Sequence, residues 1–254
     1  MKPLLSRLVV LLVAALVCGP AAAVLSVPVS LYDPAAGLPA AQGWTTASNP
    51  FSPPAGSDAI VAGPRLQIDT SASDSTQHGH GRGSPVVLDT AAGFTIDFQL
   101  QVNSETHASG DRSGFSLLVQ GADPSKAVQL SFWEGVVWAS DAVFAKAESS
   151  AHTTTGALQS YSLQVAGNQF TLKAGATPLL TNVPLRDFPT TANPLTAVYG
   201  FSNYVWLGDN TTSARALVEL GAMTVTAVPE PASALLLLGG IAGLAGSVSR
   251  RRAR

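Results

Sequence analysis

Phe94-Thr95-Ile96-Asp97-Phe98-Gln99-Leu100-Gln101-Val102 alternates without a break. Phe94, Ile96, Phe98, Leu100 and Val102 fall on one side of an extended chain, and Asp97, Gln99 and Gln101 on the other. Alternation of this kind marks a strand with one buried and one wet face, as in an antiparallel sheet. The same kind of pattern recurs outward from it. Gly114–Val119 reads as a strand, and Ala127–Trp133 with Gly135–Ser140 as a hairpin about Glu134-Gly135. Ser160–Val165 and Gln169–Lys173 flank Ala166-Gly167-Asn168, a hairpin-type turn. Arg65–Asp69, Pro85–Leu88, Ala197–Tyr204 and Ala214–Val228 are further strand candidates. Asn49–Gly56, with Pro50, Pro53 and Pro54, reads as a loop, and so does Ser71–Gly83, too polar and glycine-rich to pack. Long 3.6-residue periodicity is missing between 24 and 227, as is the fixed repeat a parallel β-helix needs. Short strands at this spacing predict an all-β fold, a two-sheet antiparallel jelly-roll sandwich.

Both ends of the chain depart from this pattern. Lys2 and Arg7 precede an apolar run, Leu8–Val17, and then Ala21-Ala22-Ala23. These are the charged, apolar and small-residue parts of a secretory signal peptide, with Ala21 and Ala23 at the cleavage site. The run is too short to span ~30 Å of hydrocarbon. At the other end, Val228-Pro229-Glu230-Pro231 leads into Ala232–Val248, which carries no charge, and then Arg250, Arg251, Arg252 and Arg254. A helix over that apolar run reaches ~25 Å, near the lower limit for crossing a bilayer. Gly239, Gly240, Gly243 and Gly246 would give it a small-residue face, and Pro229 and Pro231 keep the tag extended. The arginines are expected to stay cytoplasmic, leaving the body outside.

This tag, apolar span and arginine cluster, in that order, resemble the PEP-CTERM sorting signal of Gram-negative bacteria that export polysaccharide. The resemblance covers residues 228–254 only. It implies export through the inner membrane to the cell surface or extracellular matrix. It also implies recognition near Pro229-Glu230-Pro231 by an exosortase, a membrane transpeptidase-like enzyme.

Removing both signals leaves residues 24–227, one domain's worth of chain, long enough to bury a core without covalent staples. Cys18, the one cysteine, precedes the expected cleavage site. The body carries eight basic side chains against fifteen acidic ones, near −7, a balance hidden in the whole-chain value of −2. That excludes nucleic acid and an anionic membrane surface as partners of the body, and suits cations.

The body also resembles the concanavalin A-like (laminin G and legume-lectin type) jelly rolls and the bacterial "choice-of-anchor" extracellular domains. The carrying pieces are Tyr32-Asp33-Pro34, Gln42-Gly43-Trp44, the Phe94–Val102 strand, Arg112-Ser113-Gly114-Phe115-Ser116, Phe132-Trp133 and Leu207-Gly208-Asp209-Asn210-Thr211. The resemblance spans about residues 31–227. It implies a surface-attached domain, with no settled activity to carry over, and calcium at loop carboxylates as the candidate cofactor.

Candidate chemistry is sparse. A retaining glycosidase needs two carboxyls about 5–5.5 Å apart, and no strand carries a pair at alternate positions. Glu134 and Glu148 stand apart, so only a dyad across strands would serve. A serine-hydrolase elbow, Gly-x-Ser-x-Gly, is absent from the sequence. His78-Gly79-His80 lies in the glycine-rich loop, with His107 and His152 elsewhere; two or three imidazoles together suit zinc or copper, but a lone His-x-His in such a loop is more often a solvated tip. Asp209 and Asn210 are candidate calcium ligands, or simply a turn. Trp133, Trp138 and Trp206 are candidate sugar platforms, or core. Arg112, with Glu105 and Glu148 as prospective partners, reads as a sheet-end ion pair or a sugar-binding rim. The reading that follows is a sorted, non-enzymatic matrix protein with exopolysaccharide as its partner. A glycan-active hydrolase on the same fold is the alternative.

Truncating the chain after Val228 is expected to release soluble protein, measured as transfer from the envelope fraction to the medium. Continued fractionation with the envelope would show that the tail is not the anchor.

Overall fold

The computed structural model describes residues 26–48, 55–190 and 197–228. The expected signal peptide, Pro229-Glu230-Pro231, the apolar span and the arginine cluster lie outside them, as do residues 49–54 of the first expected loop. In chain order the strands are β1 (Val29–Tyr32), β2 (Thr45–Ser48), β3 (Ser57–Val61), β4 (Arg65–Asp69) and β5 (His78–Gly83). β6 (Phe94–His107), β7 (Ser116–Gln120), β8 (Ala127–Phe132), β9 (Val136–Ser140) and β10 (Lys146–Ala151) follow. The last are β11 (Gln159–Ala166), β12 (Gln169–Ala174), β13 (Thr177–Pro184), β14 (Tyr204–Asp209) and β15 (Ala214–Ala227).

They form two antiparallel sheets. Sheet A runs β13-β12-β11-β6-β15-β4-β3, with β1 also paired to β15, and sheet B runs β10-β9-β8-β7-β14-β5-β2. The alternating run of β6 is central to sheet A. Its inward residues Phe94, Ile96, Phe98, Leu100 and Val102 are all buried. They meet Leu117, Val119, Leu130, Phe132, Val205 and Leu207 of sheet B in one continuous core. Phe98, Phe132 and Tyr161 lock its middle: Phe98 stacks on Tyr161 at 5.3 Å and meets Phe132 edge-on at 6.1 Å. Such pairs contribute about 0.5–1.5 kcal/mol beyond area burial. Sheet B is covered on its outer face too, where Leu118 and Trp206 pack under Phe188, Val198 and Tyr199.

Three expectations fail. Pro85–Leu88 is not a strand but part of the connection from β5 to β6, the Leu88 amide donating to the Asn203 side-chain oxygen at 2.6 Å instead of to a neighbouring strand. Ser71–Gly83 is not a loop throughout: His78–Gly83 is β5, paired on both sides and mostly buried. The glycines that signalled a loop make room instead. Gly79 pairs with Gly208, and Gly81 with Trp206. A Cβ on Gly79 would stand 2.6 Å from Trp206 Cζ2. The tryptophan ring lies where a side chain of β5 would be. Ala197–Tyr204 is not one strand either. Ala197–Gly200 is a single 3-10 turn, Asn203 takes a positive φ of 57°, and pairing begins only at Tyr204. The apolar letters Val198 and Tyr199 serve the outer cluster of sheet B rather than a strand.

Gly79→Ala is therefore expected to cost about 1–3 kcal/mol, the range for overpacking, read as a lowered urea midpoint. An unchanged midpoint would show that β5 and β14 have room to spare.

Candidate functional site

The end of the sandwich where β6 runs out collects charged and aromatic groups from four segments. β6 extends past the alternating run and brings Glu105 and His107. The β8–β9 turn brings Trp133 and Glu134, the approach to β7 brings Arg112, and β10 opens with Lys146. His107 Nδ1 lies 2.9 Å from Glu105 Oε2. The His107 ring stacks on Trp133 with centroids 4.0 Å apart and planes 7° from parallel. Lys146 Nζ lies 4.2 Å from the centre of the same indole, within cation–π range. Trp133 Nε1 donates to the Arg112 carbonyl at 2.8 Å, so the indole is fixed at its edge and flanked by two basic groups.

Glu105 is the buried member of this cluster. Its amide donates to Glu134 Oε1 at 3.2 Å, while its carboxylate accepts from the Gly114 amide at 3.4 Å. Burial pushes the Glu105 carboxyl up. Hydrogen bonding to His107 and Gly114 opposes the shift, Glu134 adds to it, and the net direction is upward. Glu134 is exposed. Two carboxyls of unlike environment thus sit at one place.

Trp133, Arg112 and Glu105 come together here, and Trp138 lies behind Trp133 with ring centroids 5.6 Å apart, itself buried. Arg112 does not meet its prospective partners. Its guanidinium donates to the carbonyls of Asp111 and Phe144, both at 2.7 Å, tying the approach to β7 to the turn before β10. Glu148 pairs with Arg186 at 2.7 Å instead. Trp206 belongs to the separate apolar cluster on the outer face of sheet B. Asp209 ends β14 and is 1% exposed. Its carboxylate accepts from the Thr211 amide at 2.9 Å and the Thr70 hydroxyl at 3.1 Å. Asn210 Nδ2 donates to the Tyr199 hydroxyl at 2.6 Å.

A second cluster lies between the sheets at their opposite edge. Because His78 and His80 are two apart on β5, both turn to the same face, here the inward one, where His80 pairs with Leu207 of the core. Asp58 of β3 approaches from sheet A. Its Oδ1 lies 2.9 Å from His78 Nε2 and 3.0 Å from His80 Nε2. Burial disfavours the Asp58 charge, but hydrogen bonding to the two imidazoles outweighs it and holds the carboxyl down at about 2. The His-x-His spacing was visible in the sequence. Asp58 was not, because nothing local marks a residue whose partners lie on the other sheet.

In sequence, the two-sheet antiparallel body is followed by a proline-tagged, arginine-ended tail. Residues 227–253 match the PEP-CTERM protein-sorting motif family, which implies export, surface sorting in a Gram-negative bacterium and exosortase processing. No curated protein matches the chain. Among solved structures the chain is similar to the conserved carbohydrate esterase of the Shiga toxin-encoding bacteriophage phi24B, at 13% identity and a TM-score of 0.56, over 80% of this chain and 100% of that one. It is similar to a cellulose-induced protein at 9% identity and 0.47, over 72% and 91%. The seed lectin of Lotus tetragonolobus follows at 11% and 0.44, over 74% and 95%. Identities this low speak to the fold alone.

Asp209 offers a test by pH. Burial pushes its carboxyl well above its ordinary value of 3.8, against the pull of Thr211 and Thr70. A carboxyl raised on folding contributes stability that is full below its unfolded value and is lost as pH rises through its folded value. Asp209→Asn keeps an acceptor for Thr211 and escapes that loss. It should be more stable than the wild type at neutral pH, with the gap closing as pH falls to 3.8. Urea midpoints across that range decide; a gap that widens toward acid contradicts the assignment.

Proposed function

We propose that the exported chain is a non-enzymatic surface or matrix protein whose sandwich binds polysaccharide at the end where β6 runs out. The observation that carries this reading is the grouping of Glu105, His107, Arg112, Glu134 and Lys146 around Trp133, whose indole is fixed by its hydrogen bond to the Arg112 carbonyl and its stacking on His107. Sugar hydroxyls are bound by carboxylates and cationic donors set around an aromatic body. A body near −7 favours neutral or cationic glycans over polyanions, except where Lys146 and Arg112 meet an acidic sugar. The sorting tail supports a role at the cell surface, where such glycans are.

One observation favours a second reading, a glycan-active hydrolase. Glu105 is buried with its carboxyl pushed up, next to the exposed Glu134. Unlike carboxyls side by side are how an acid and a base are made from one residue type.

Passing the full chain over immobilised polysaccharides, the producing strain's exopolysaccharide included, separates the readings when both retention and released sugar are scored. Retention without product is expected, reduced about tenfold or more by Lys146→Glu or Trp133→Ala, a loss of roughly 1.4 kcal/mol. Product abolished by Glu105→Gln would establish the hydrolase instead. No retention on any glycan would remove the binding role.

A further inference from the structure

We propose that Asp58, His78 and His80 bind one divalent transition-metal ion of the zinc type, clasping the two sheets together at their open edge.

The donor atoms already converge. One ring nitrogen each of His78 and His80 and a carboxylate oxygen of Asp58 all lie within 4.8 Å of one another. The two imidazoles stand nearly perpendicular, 84° apart with centroids at 5.3 Å. They do not stack, and both Nε2 atoms face the same Asp58 oxygen, so the rings aim at a shared point. A tetrahedral ion with bonds of about 2.0–2.1 Å holds its ligand atoms roughly 3.3 Å apart. The present 2.9 and 3.0 Å separations need to open by only about 0.3–0.4 Å to admit it.

The surroundings match a metal shell. A ligating imidazole uses its second nitrogen to fix ring orientation. Here His78 Nδ1 lies 2.5 Å from Ser48 Oγ, and His80 Nδ1 lies 3.1 Å from Thr46 Oγ1. A hydroxyl donates or accepts, so either orientation of its proton suits. With both acting as acceptors, both Nδ1 atoms carry the protons and both Nε2 lone pairs are turned to the ion. Ser48 and Thr46 reach these places because β2 pairs with β5 in register, Ser48 opposite His78 and Thr46 opposite His80. The site is nearly closed, His78 being 5% and His80 1% exposed. Gly56 passes directly over His78, where a Cβ would come within 2.7 Å of the ring carbon Cγ.

The chemistry narrows the ion. Two imidazole nitrogens and one carboxylate suit zinc and its first-row neighbours, and are a poor set for calcium or magnesium, which take oxygen. Three protein ligands leave a fourth position for water. Placement gives the ion its task. β2 and β3 are the last strands of their sheets, and unpaired edges are where sandwiches open or associate. A bond from Asp58, on the edge strand β3, to the histidines of β5, one strand in from the edge strand β2, joins the two sheets there.

The test uses the full chain, stripped with chelator and titrated with zinc chloride against a chromophoric competitor. One equivalent per chain is expected, with a rise in the thermal midpoint that calcium chloride does not reproduce. Asp58→Asn and His80→Gln should each weaken zinc at least 100-fold. Should these fail to fold, Thr46→Val and Ser48→Ala keep all three ligands and should weaken zinc by about 10–100-fold, the cost of removing such support. Zinc should also shift the imidazole proton resonances of His78 and His80 while leaving those of His107 and His152 in place. Folded wild type that takes up no zinc would overturn the proposal and leave a hydrogen-bonded clasp. So would uptake unchanged in the variants, which would put the zinc elsewhere.

Discussion

Everything in sheet A hangs on the pairing of β6 with β15. The two longest strands run antiparallel from Phe94 opposite Ala227 to His107 opposite Ala214. On one flank β6 carries β11, β12 and β13; on the other β15 carries β4, β3 and β1. A slip of one residue would turn Phe94, Ile96, Phe98, Leu100 and Val102 to solvent, and the register is correspondingly pinned. Two irregularities, at Leu217/Val218 and Leu220/Met223, bend β15 along β6. At the second, Gly221 lies against Gln99, where a Cβ would come within 2.8 Å of the glutamine Cβ. Both chemical clusters inherit their positions from this pair. Glu105 and His107 sit where β6 outlasts its alternating part. Asp58 is set on β3 through β4, whose partner is β15.

The two clusters answer opposite demands. At the loop end the groups are half-exposed, come from four separate segments, and leave Glu134 and Lys146 in water. At the edge between the sheets the groups are buried, spaced by strand register, and satisfied by one another. The first arrangement is suited to meeting something large and hydrated. The second is suited to holding something small, or to holding the protein itself. Arg112 shows how context decides a role. Its charge faces backbone carbonyls of its own loop and of the next turn, so it shapes the loop end rather than pairing with a carboxylate.

The sandwich was legible because alternation survives in the strands that face the core: β6, β11 and β12 were each evident from their letters. Strands were missed where that signal is broken. β5 reads as loop because its outer positions are glycines, and the bulk over them comes from β14, Trp206 at Gly79 and Tyr204 at Gly81. β7 and β8, by contrast, were legible as near-continuous apolar runs, and because they are buried on both faces their polar letters Gln120, Gln129 and Ser131 fall inside. The Gln120 side chain donates to the Tyr199 carbonyl, and Gln129 accepts from the Tyr199 hydroxyl. At the loop end, Trp133, Arg112 and Glu105 stood out as residue types, whereas His107 and Lys146 gain meaning only once the fold sets them on the indole. Asp58 had no sequence signal at all.

β15 ends at Ala227, and the sorting motif begins at that same residue. The strand on which sheet A depends is therefore the last part of the body to be made, and its partner β6 comes off the ribosome with the whole stretch from Ala108 to Ser213 still to follow. A chain delivered N-terminus first cannot complete its central pair until the segment abutting the tag has emerged. Loop closure over so long a stretch is slow, and until it happens β6 waits with an unsatisfied flank. Maturation of the body is in this way timed by the arrival of its own address label.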